Sequence, residues 1–559
     1  MRIGIDFDNT IACYDQVFSE LAISRGLIHA GFCGSKKELR DYLRLIDDGE
    51  LEWQKLQGLV YGKYMHQASL FPGLAHFLLR LRAMKHEVFI VSHKTEFGHF
   101  DEDKTPLRQV AMDWMTALGF FDPSQFGVLP EHVFFNATRE EKIAQIKDLG
   151  CDVFVDDLIE VFSEKDFPAH TQKILFSNAV MEKAIEAPYF ASGSWSEISQ
   201  HLLGEVSLLE IKTLASGILD QAITSIEAIP GRGNSKIFKL SDESTSYALK
   251  IYPDLALDPR ERLVMESKAC DLFKEHDINH VLIQVSSQTH LNMGIYKWIE
   301  GEPIIEPNQQ DMDQAISFIH KLKSLSHLNH SSHTSHSNHL HHFPQASEAC
   351  LSINQLMQQV AKRWGKLLAI KDCDEHFSQF LETELEPIFL KLIGREVPSE
   401  LSIQQFSDLD LAYQILSPSD FGFHNSIKDA HHKLHWLDFE YFGWDDPVKL
   451  TLDFLWHPAM TLSEDQKHQW LNEMKSLFSK DPQFIKRLEY CWPLYGIRWS
   501  FILLNEFLNI GWKKRLHANT NELTSKKEKL QNQIQKSRNV LTQLVGANFS
   551  CPYLLTEYH

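Results

Sequence analysis

Short apolar runs alternate with helix-period stretches along the first part of the chain. Residues 3–7, 87–91 and 152–155 read as strands, while 74–84 and 140–149 repeat apolar positions at helical spacing. Strands alternating with helices predict a parallel, doubly wound α/β sheet of Rossmann type. Residues 11–73 are helical in pattern and read as a cap inserted between the first two strands. The pattern then changes. Residues 238–240 and 247–251 read as a hairpin around a polar turn at 242–246, a helix follows near 261–276, and helices dominate beyond 298. Sheet first and helices later predict a separate α+β unit. The expected domains are 1–205 and 206–559. The last helix, 521–544, is apolar at Leu530, Ile534, Val540, Leu541 and Leu544 and reads as a packed amphipathic helix. The tract 327–342 is low in complexity and rich in histidine. Such tracts can bind metal, but the composition favours a flexible surface loop.

Composition narrows the class. At roughly 150 residues per domain, 559 residues accommodate two to four domains. The net charge of −20 speaks against a nucleic-acid partner, which normally meets a basic face. The eight cysteines are scattered without a CxxC pair, as expected of reduced thiols in a cytoplasmic protein. No signal-peptide pattern opens the chain, and no apolar run approaches the ~20 residues needed to span a bilayer. A membrane partner is therefore not expected, and oligomeric state has no signature.

The first chemical constellation lies in the N-terminal part. Ile-Gly-Ile-Asp6-Phe-Asp8-Asn-Thr10 sets two carboxylates at i and i+2 past an apolar strand. Strand ends at the carboxyl edge of a parallel sheet bind ligands, and paired acids there need a cation or a shared proton. Val88-Phe-Ile-Val-Ser92 is a strand ending in a hydroxyl. Lys142 opens a helix ahead of the next strand; it is preferred over Lys147 because it sits further from that strand. Asp152-Val-Phe-Val-Asp156-Asp157 ends in paired acids suited to Mg²⁺. The set resembles the haloacid-dehalogenase superfamily, whose first motif is an apolar strand followed by DxDxT. The resemblance implies a Mg²⁺-dependent phosphatase. Asp6 would be the nucleophile that forms an aspartyl-phosphate, and Asp8 the general acid. Ser92 would bind the phosphoryl group and Lys142 offset its charge. Asp6, Asp8, Asp156 and Asp157 would form the metal set. The cap would choose the substrate, with Asp15, Arg40, Arg44, Lys55 and Lys63 as candidate contacts or solvated surface charges.

The second constellation begins at Pro230-Gly231-Arg-Gly233-Asn234-Ser235, a turn whose glycines allow close backbone approach to phosphate. Lys250 ends the next strand, and Glu266, preferred over Glu261, lies in the following helix. A strand lysine paired with a helix glutamate positions ATP phosphates in kinases. Leu416-Ser-Pro-Ser-Asp420-Phe-Gly-Phe-His-Asn425 and Leu434-His-Trp-Leu-Asp438-Phe-Glu follow. Together these residues resemble the aminoglycoside phosphotransferase and choline kinase branch of the protein-kinase-like fold, over residues 208–544. The resemblance implies an ATP- and Mg²⁺-dependent kinase. Gly231, Gly233, Asn234, Ser235, Lys250 and Glu266 would hold the nucleotide. Asp420 would accept the hydroxyl proton, and Asn425 and Asp438 would hold the metal. Residues 294–300 would be the linker strand whose backbone faces adenine. The chain departs from that branch before the catalytic aspartate, where Pro418-Ser419 replace the usual His-Gly. Asp445, Asp446 and Asp453 shape a substrate pocket, or in the case of Asp453 serve as a buried structural acid. The lack of DFG and APE-like segments argues against a protein kinase.

The expected function is a bifunctional enzyme acting on a small-molecule phosphate ester and a small-molecule hydroxyl. Fused activities imply one pathway, by analogy that of surface-polysaccharide precursors. One alternative is a nucleic-acid end-processing kinase–phosphatase; the charge and the lack of GxxxxGK[ST] speak against it. The other alternative is one active half beside a non-catalytic regulatory half.

Overall fold

Residues Arg2–Ile5 form β1, whose Ile3 and Ile5 are fully buried. The computed structural model describes the chain apart from residues 30–31, 33, 99, 102, 124, 178–188, 230–234, 254–257, 259, 332–342, 371–373, 509–525 and 555–559. The described residues form two compact units, Met1–Ile226 and Glu227–His559.

In the first unit the chain leaves β1 through β2 (Ala12–Cys13) and returns through β3 (Ser69–Leu70). It continues through β4 (Glu87–His93), β5 (Val133–Asn136), β6 (Val153–Asp156), β7 (Gln172–Phe176) and β8 (Phe190–Ser192). Six strands pair in parallel in the order β5-β4-β1-β6-β7-β8. The chain runs outward from β1 through β4 to β5, then crosses back to β6 on the other side of β1. That reversal makes a topological switch point between β1 and β6, and ligands bind outside the carboxyl ends of strands at such a point. Asp6 directly follows β1, and Asp156 ends β6. The segment between β2 and β3 carries helices Asp15–Ser24, Lys36–Leu43 and Gly49–Tyr61. The insertion is helical inside, but it enters and leaves through the antiparallel β2–β3 ribbon, with Ala12 opposite Leu70. Strands of two residues are too short to register as a period.

The helix Leu208–Leu219 belongs to the first unit, so the boundary falls after Ile226 rather than after residue 205. The reason is a buried ion pair. The Arg80 guanidinium donates to both oxygens of Glu210 at 2.7 and 3.2 Å and to the Ser199 hydroxyl at 2.9 Å. Such a contact spans 130 residues and has no local signature.

The second unit contains an antiparallel sheet in the order β12-β13-β11-β10-β9. Its strands are β9 (Ser225–Ile229), which straddles the boundary, β10 (Lys236–Ser241), β11 (Ser246–Ile251), β12 (Gln284–Gln288) and β13 (Met293–Lys297). The register sets Ile237 opposite Lys250. Residues 294–297 of the expected linker strand lie in β13, which pairs with both β11 and β12. Helix Arg262–Glu275 joins β11 to β12. Short strands β14 (Glu302–Pro303), β15 (Ile415–Ser417), β16 (Ser426–Lys428), β17 (Leu434–Trp436) and β18 (Gly443–Asp445) pair as β14–β16–β17 and β15–β18 among long helices. The final helix is Lys526–Gly546, burying Ile534, Val540, Leu541 and Leu544. Helix Gln309–Ser331 runs into the start of the histidine tract; residues 332–342 lie outside the described residues. Among the described residues, no helix is long and apolar enough to cross a membrane.

Candidate active sites

In the first unit, Lys142 joins the two strand ends at the switch point. Its ammonium donates to Asp6 Oδ1 at 2.5 Å and to Asp156 Oδ2 at 2.7 Å. Lys142 reaches them from the first turn of helix Arg139–Asp148, whose start is capped by the Thr138 hydroxyl. Lys147, in the last turn, is exposed. Asp6, Lys142 and Asp156 are all buried. Asp156 also accepts the Leu158 amide at 2.9 Å. Asp6, Asp156 and Asp157 each place a carboxylate oxygen within 4.8 Å of the others.

The electrostatics of this cluster are unbalanced. Burial pushes Asp6 up to about 7 against the pull of Lys142. Burial, then Asp6 and Asp156, hold Asp157 well above the usual carboxylate range. The Thr10 hydroxyl is buried without a partner. Crowded acids suit a divalent cation with a phosphoryl group, because Mg²⁺ takes one or two carboxylates with phosphate and water.

Asp8 stands apart from the three-carboxylate group. The Tyr14 hydroxyl donates to it at 2.5 Å, and the Lys94 ammonium lies 3.0 Å from each of its oxygens. Expected among the metal acids, Asp8 is paired with Lys94 and lies outside the Asp6, Asp156 and Asp157 group. Ser92 is buried one residue before the end of β4. Lys36, at the start of a cap helix, donates to Asn9 Oδ1 at 2.8 Å and to the Tyr61 hydroxyl at 2.5 Å. It carries a cap cation to the DxDxT loop. Asp15 accepts the Lys36 amide at 2.9 Å, whereas Arg40, Arg44 and Lys55 pair with neighbouring cap acids.

In the second unit Lys250, on β11, meets three acids. Its ammonium lies 3.0 Å from Glu266 Oε2, 2.7 Å from Asp438 Oδ1 and 3.0 Å from Glu440 Oε2. Glu266 is fully buried, and its carboxylate also accepts the Phe439 amide at 2.8 Å and contacts the hydroxyls of Tyr252 and Tyr296. Glu261, the competing acid, is exposed at the helix start. Glu440 pairs with Arg262, which also pairs with Asp258. Asp438 adopts a left-handed backbone (φ 66°) and leaves 30% of its side chain exposed. Left-handed backbone is uncommon outside glycine and clusters at functional sites.

The 420 loop is tied to Asp438 through its neighbour: the Leu437 amide donates to the Asn425 carbonyl at 2.9 Å. Asn425 Nδ2 donates to the Asp420 carbonyl at 2.9 Å, which leaves its Oδ1 for a cation. Asp420 Oδ1 lies 3.0 Å from His424 Nε2 and 3.7 Å from His457 Nε2. Burial favours the neutral acid at Asp420. The His424 hydrogen bond and the electrostatic pull of His424, His457 and Lys449 outweigh it and hold the carboxyl below its ordinary range. Ser419, in the place of the expected glycine, has φ 67°; its hydroxyl donates to the Ser347 carbonyl and accepts from Lys449 at 2.8 Å. Gly231, Gly233 and Asn234 lie outside the described residues, while Ser235 begins the described chain with a buried, unpartnered hydroxyl.

The later acids are structural rather than pocket-lining. Asp445 and Asp453 flank the buried Lys449 at 3.0 and 3.2 Å, and Asp446 caps helix Pro447–Trp456 while holding Arg487 at 2.9 Å. Sequence reasoning missed Lys94, Lys36, Glu440, Arg262, His424 and His457. Two of them carried a local signal: Lys94 stands two residues past Ser92, and Glu440 two past Asp438.

No family model matches the chain, and no curated protein matches it. Among solved structures, the chain is similar to a choline kinase from Streptococcus pneumoniae (13% identity, TM-score 0.37, covering 60% of this chain and 98% of that one). It is also similar to an ethanolamine kinase of Plasmodium vivax (12% identity, TM-score 0.38, covering 61% and 93%). A third is spectinomycin phosphotransferase in complex with ADP and spectinomycin (13% identity, TM-score 0.37, covering 59% and 97%).

Proposed function

We propose that the chain carries two phosphoryl-transfer centres: a phosphatase of haloacid-dehalogenase type in the first unit and an ATP-dependent small-molecule kinase in the second. One feature, repeated in both units, carries this reading. A buried lysine near a strand edge is bound at once to one carboxylate from a neighbouring element and one from a distant segment: Lys142 to Asp156 and Asp6, Lys250 to Glu266 and Asp438. Acids held around one lysine at a ligand-binding edge suit phosphate and Mg²⁺ together.

In the first centre Asp6 attacks phosphorus, and the phosphoryl group passes to its carboxylate as an aspartyl-phosphate that water then opens. Lys142 holds the attacking oxygen and offsets the phosphoryl charge. Asp8, which accepts from the Tyr14 hydroxyl and the Lys94 ammonium, passes to the leaving oxygen a proton drawn from Lys94. Lys36 approaches from the cap, so an anionic group on the substrate meets a cation there. Asp6, Asp156 and Asp157 would hold Mg²⁺, which when bound neutralises phosphoryl oxygens.

In the second centre Lys250, held in place by Glu266, binds nucleotide phosphates. Asp438 and Asn425 would hold the metal, and Asp420 accepts the proton of the acceptor hydroxyl. The acceptor we assign is a hydroxyl on a small metabolite, with a sugar of surface-polysaccharide precursor metabolism as the specific candidate. The six cysteines among the described residues are free thiols, which fits a cytoplasmic enzyme.

The test uses the full chain with two probes, p-nitrophenyl phosphate and ATP. Both phosphate release and ADP release should need Mg²⁺ and stop when it is chelated. Metal-independent release of both products would overturn the reading.

A further inference from the structure

Two histidines address the aspartate of the second centre, and neither belongs to the motif that located it. His424 Nε2 lies 3.0 Å from Asp420 Oδ1, and His457 Nε2 lies 3.7 Å from the same oxygen. The three groups are close enough to hold a metal ion. Two observations decide against that use. A metal bound to imidazole lies in the ring plane, yet these rings are parallel to within 3°, with centroids 3.7 Å apart. One ion cannot lie in both planes. In addition, the Ala459 amide donates to His457 Nδ1 at 3.2 Å. A backbone N–H can only donate, so Nδ1 is unprotonated and Nε2 carries the proton. His457 therefore presents an N–H, not a lone pair, to Asp420.

His424 is placed with similar definition. A Cβ on Gly422 would lie 2.8 Å from His424 Nδ1, so only glycine lets the ring seat there. Trp499 meets His457 in a T-shaped contact at 4.7 Å and is itself anchored to Asp453 at 2.8 Å. Among the described residues no hydrogen bond engages Asp420 Oδ2, and the side chain is 35% exposed.

Resting on the kinase reading above, we propose that His424 and His457 are positioning residues for transfer: the Nε2–H of His424 hydrogen-bonds Oδ1 of Asp420, the Nε2–H of His457 presents its dipole to the same oxygen from 3.7 Å, and together they turn Oδ2 toward the acceptor hydroxyl. The pair supplies in this chain an orientation that the Pro418-Ser419 sequence before Asp420 does not. The proton of the acceptor passes to Oδ2; the histidines exchange no proton in the step.

The test compares ring and donor separately in the full chain, with water as the phosphoryl acceptor and ADP release as the readout. His457→Phe keeps a ring against His424 but removes the donor. His457→Gln removes the ring but keeps an N–H donor. The phenylalanine variant should lose roughly 10- to 100-fold in kcat, the range for a misplaced catalytic group, with unchanged affinity for MgATP. The glutamine variant should recover most of that loss. Full kcat in His457→Phe, equal losses in both variants, or a fall in nucleotide affinity that accounts for the loss would each overturn the proposal. Absence of ADP release from the unaltered chain would instead defeat the kinase reading. The histidine geometry is then read without turnover by ¹⁵N NMR, taking the signal lost in His457→Phe as that of His457. An unprotonated Nδ1 is expected, and a protonated Nδ1 would overturn the inference.

Discussion

The ammonium of Lys250 lies 2.7 Å from the carboxylate of Asp438, although 188 residues separate them in the chain. The contact joins the antiparallel sheet of the second unit to the turn after β17. Glu266 and Glu440 share the same lysine, so three acids depend on one buried cation.

Lys250→Met should therefore damage both stability and binding. Removing one partner of a buried ion pair leaves uncompensated charge and costs about 3–5 kcal/mol. Arg262 still pairs with Glu440, so the lower end is expected. Differential scanning calorimetry should show the transition of the second unit falling while that of the first stays in place, and titration calorimetry should show MgATP binding lost. A variant that melts and binds like the parent chain would refute the role given to Lys250.

Asp420→Asn and Asp438→Asn should fail differently. The first removes the proton acceptor, with transfer falling by about 10²-fold or more and MgATP still binding. The second removes a charged metal ligand, so Mg²⁺-dependent nucleotide affinity should weaken as well. Calorimetry with and without Mg²⁺ separates them; equal loss of affinity in both variants would erase the distinction.

Lys94→Met should reach only the phosphatase. Asp8 would keep the Tyr14 hydroxyl but lose the cation that lies 3.0 Å from each of its oxygens. Release of phosphate from p-nitrophenyl phosphate should fall by about 10²-fold, in the range for a disturbed acid–base group, with ADP release unchanged. Normal phosphatase turnover would show that Asp8 works without Lys94.

Where the first unit ends can be read from fragment stability. Residues 1–205 lack Glu210 and its helix, so the Arg80 guanidinium loses its carboxylate partner; residues 1–226 keep the pair. The shorter fragment should be less stable by about 3 kcal/mol or more in urea unfolding. Equal stability would place helix Leu208–Leu219 outside the first unit.

Much of this architecture was legible in the sequence because it is written locally. Asp6 and Asp156 close apolar strands, so their place at a sheet edge follows from strand pattern alone. Lys250 and Glu266 lie 16 residues apart on a strand and the next helix, near enough for spacing to carry the pairing. What stayed hidden is held by long-range contact. Lys94 meets Asp8 across 86 residues, and Lys36 reaches Asn9 from the cap. His457 comes to Asp420 from beyond the end of helix Pro447–Trp456. The later acids Asp445 and Asp446 looked like a pocket because sequence gives their charge but not their partners, Lys449 and Arg487.

The most direct measurement of whether two independent centres exist is a crossed assay on the full chain. Asp6→Asn and Asp438→Asn are each followed for phosphate release from p-nitrophenyl phosphate and for ADP release from ATP, with Mg²⁺ present throughout. Asp6→Asn should abolish the first activity and keep the second, and Asp438→Asn should do the reverse. Loss of both activities in either variant, or loss of neither, would contradict two separate phosphoryl-transfer centres.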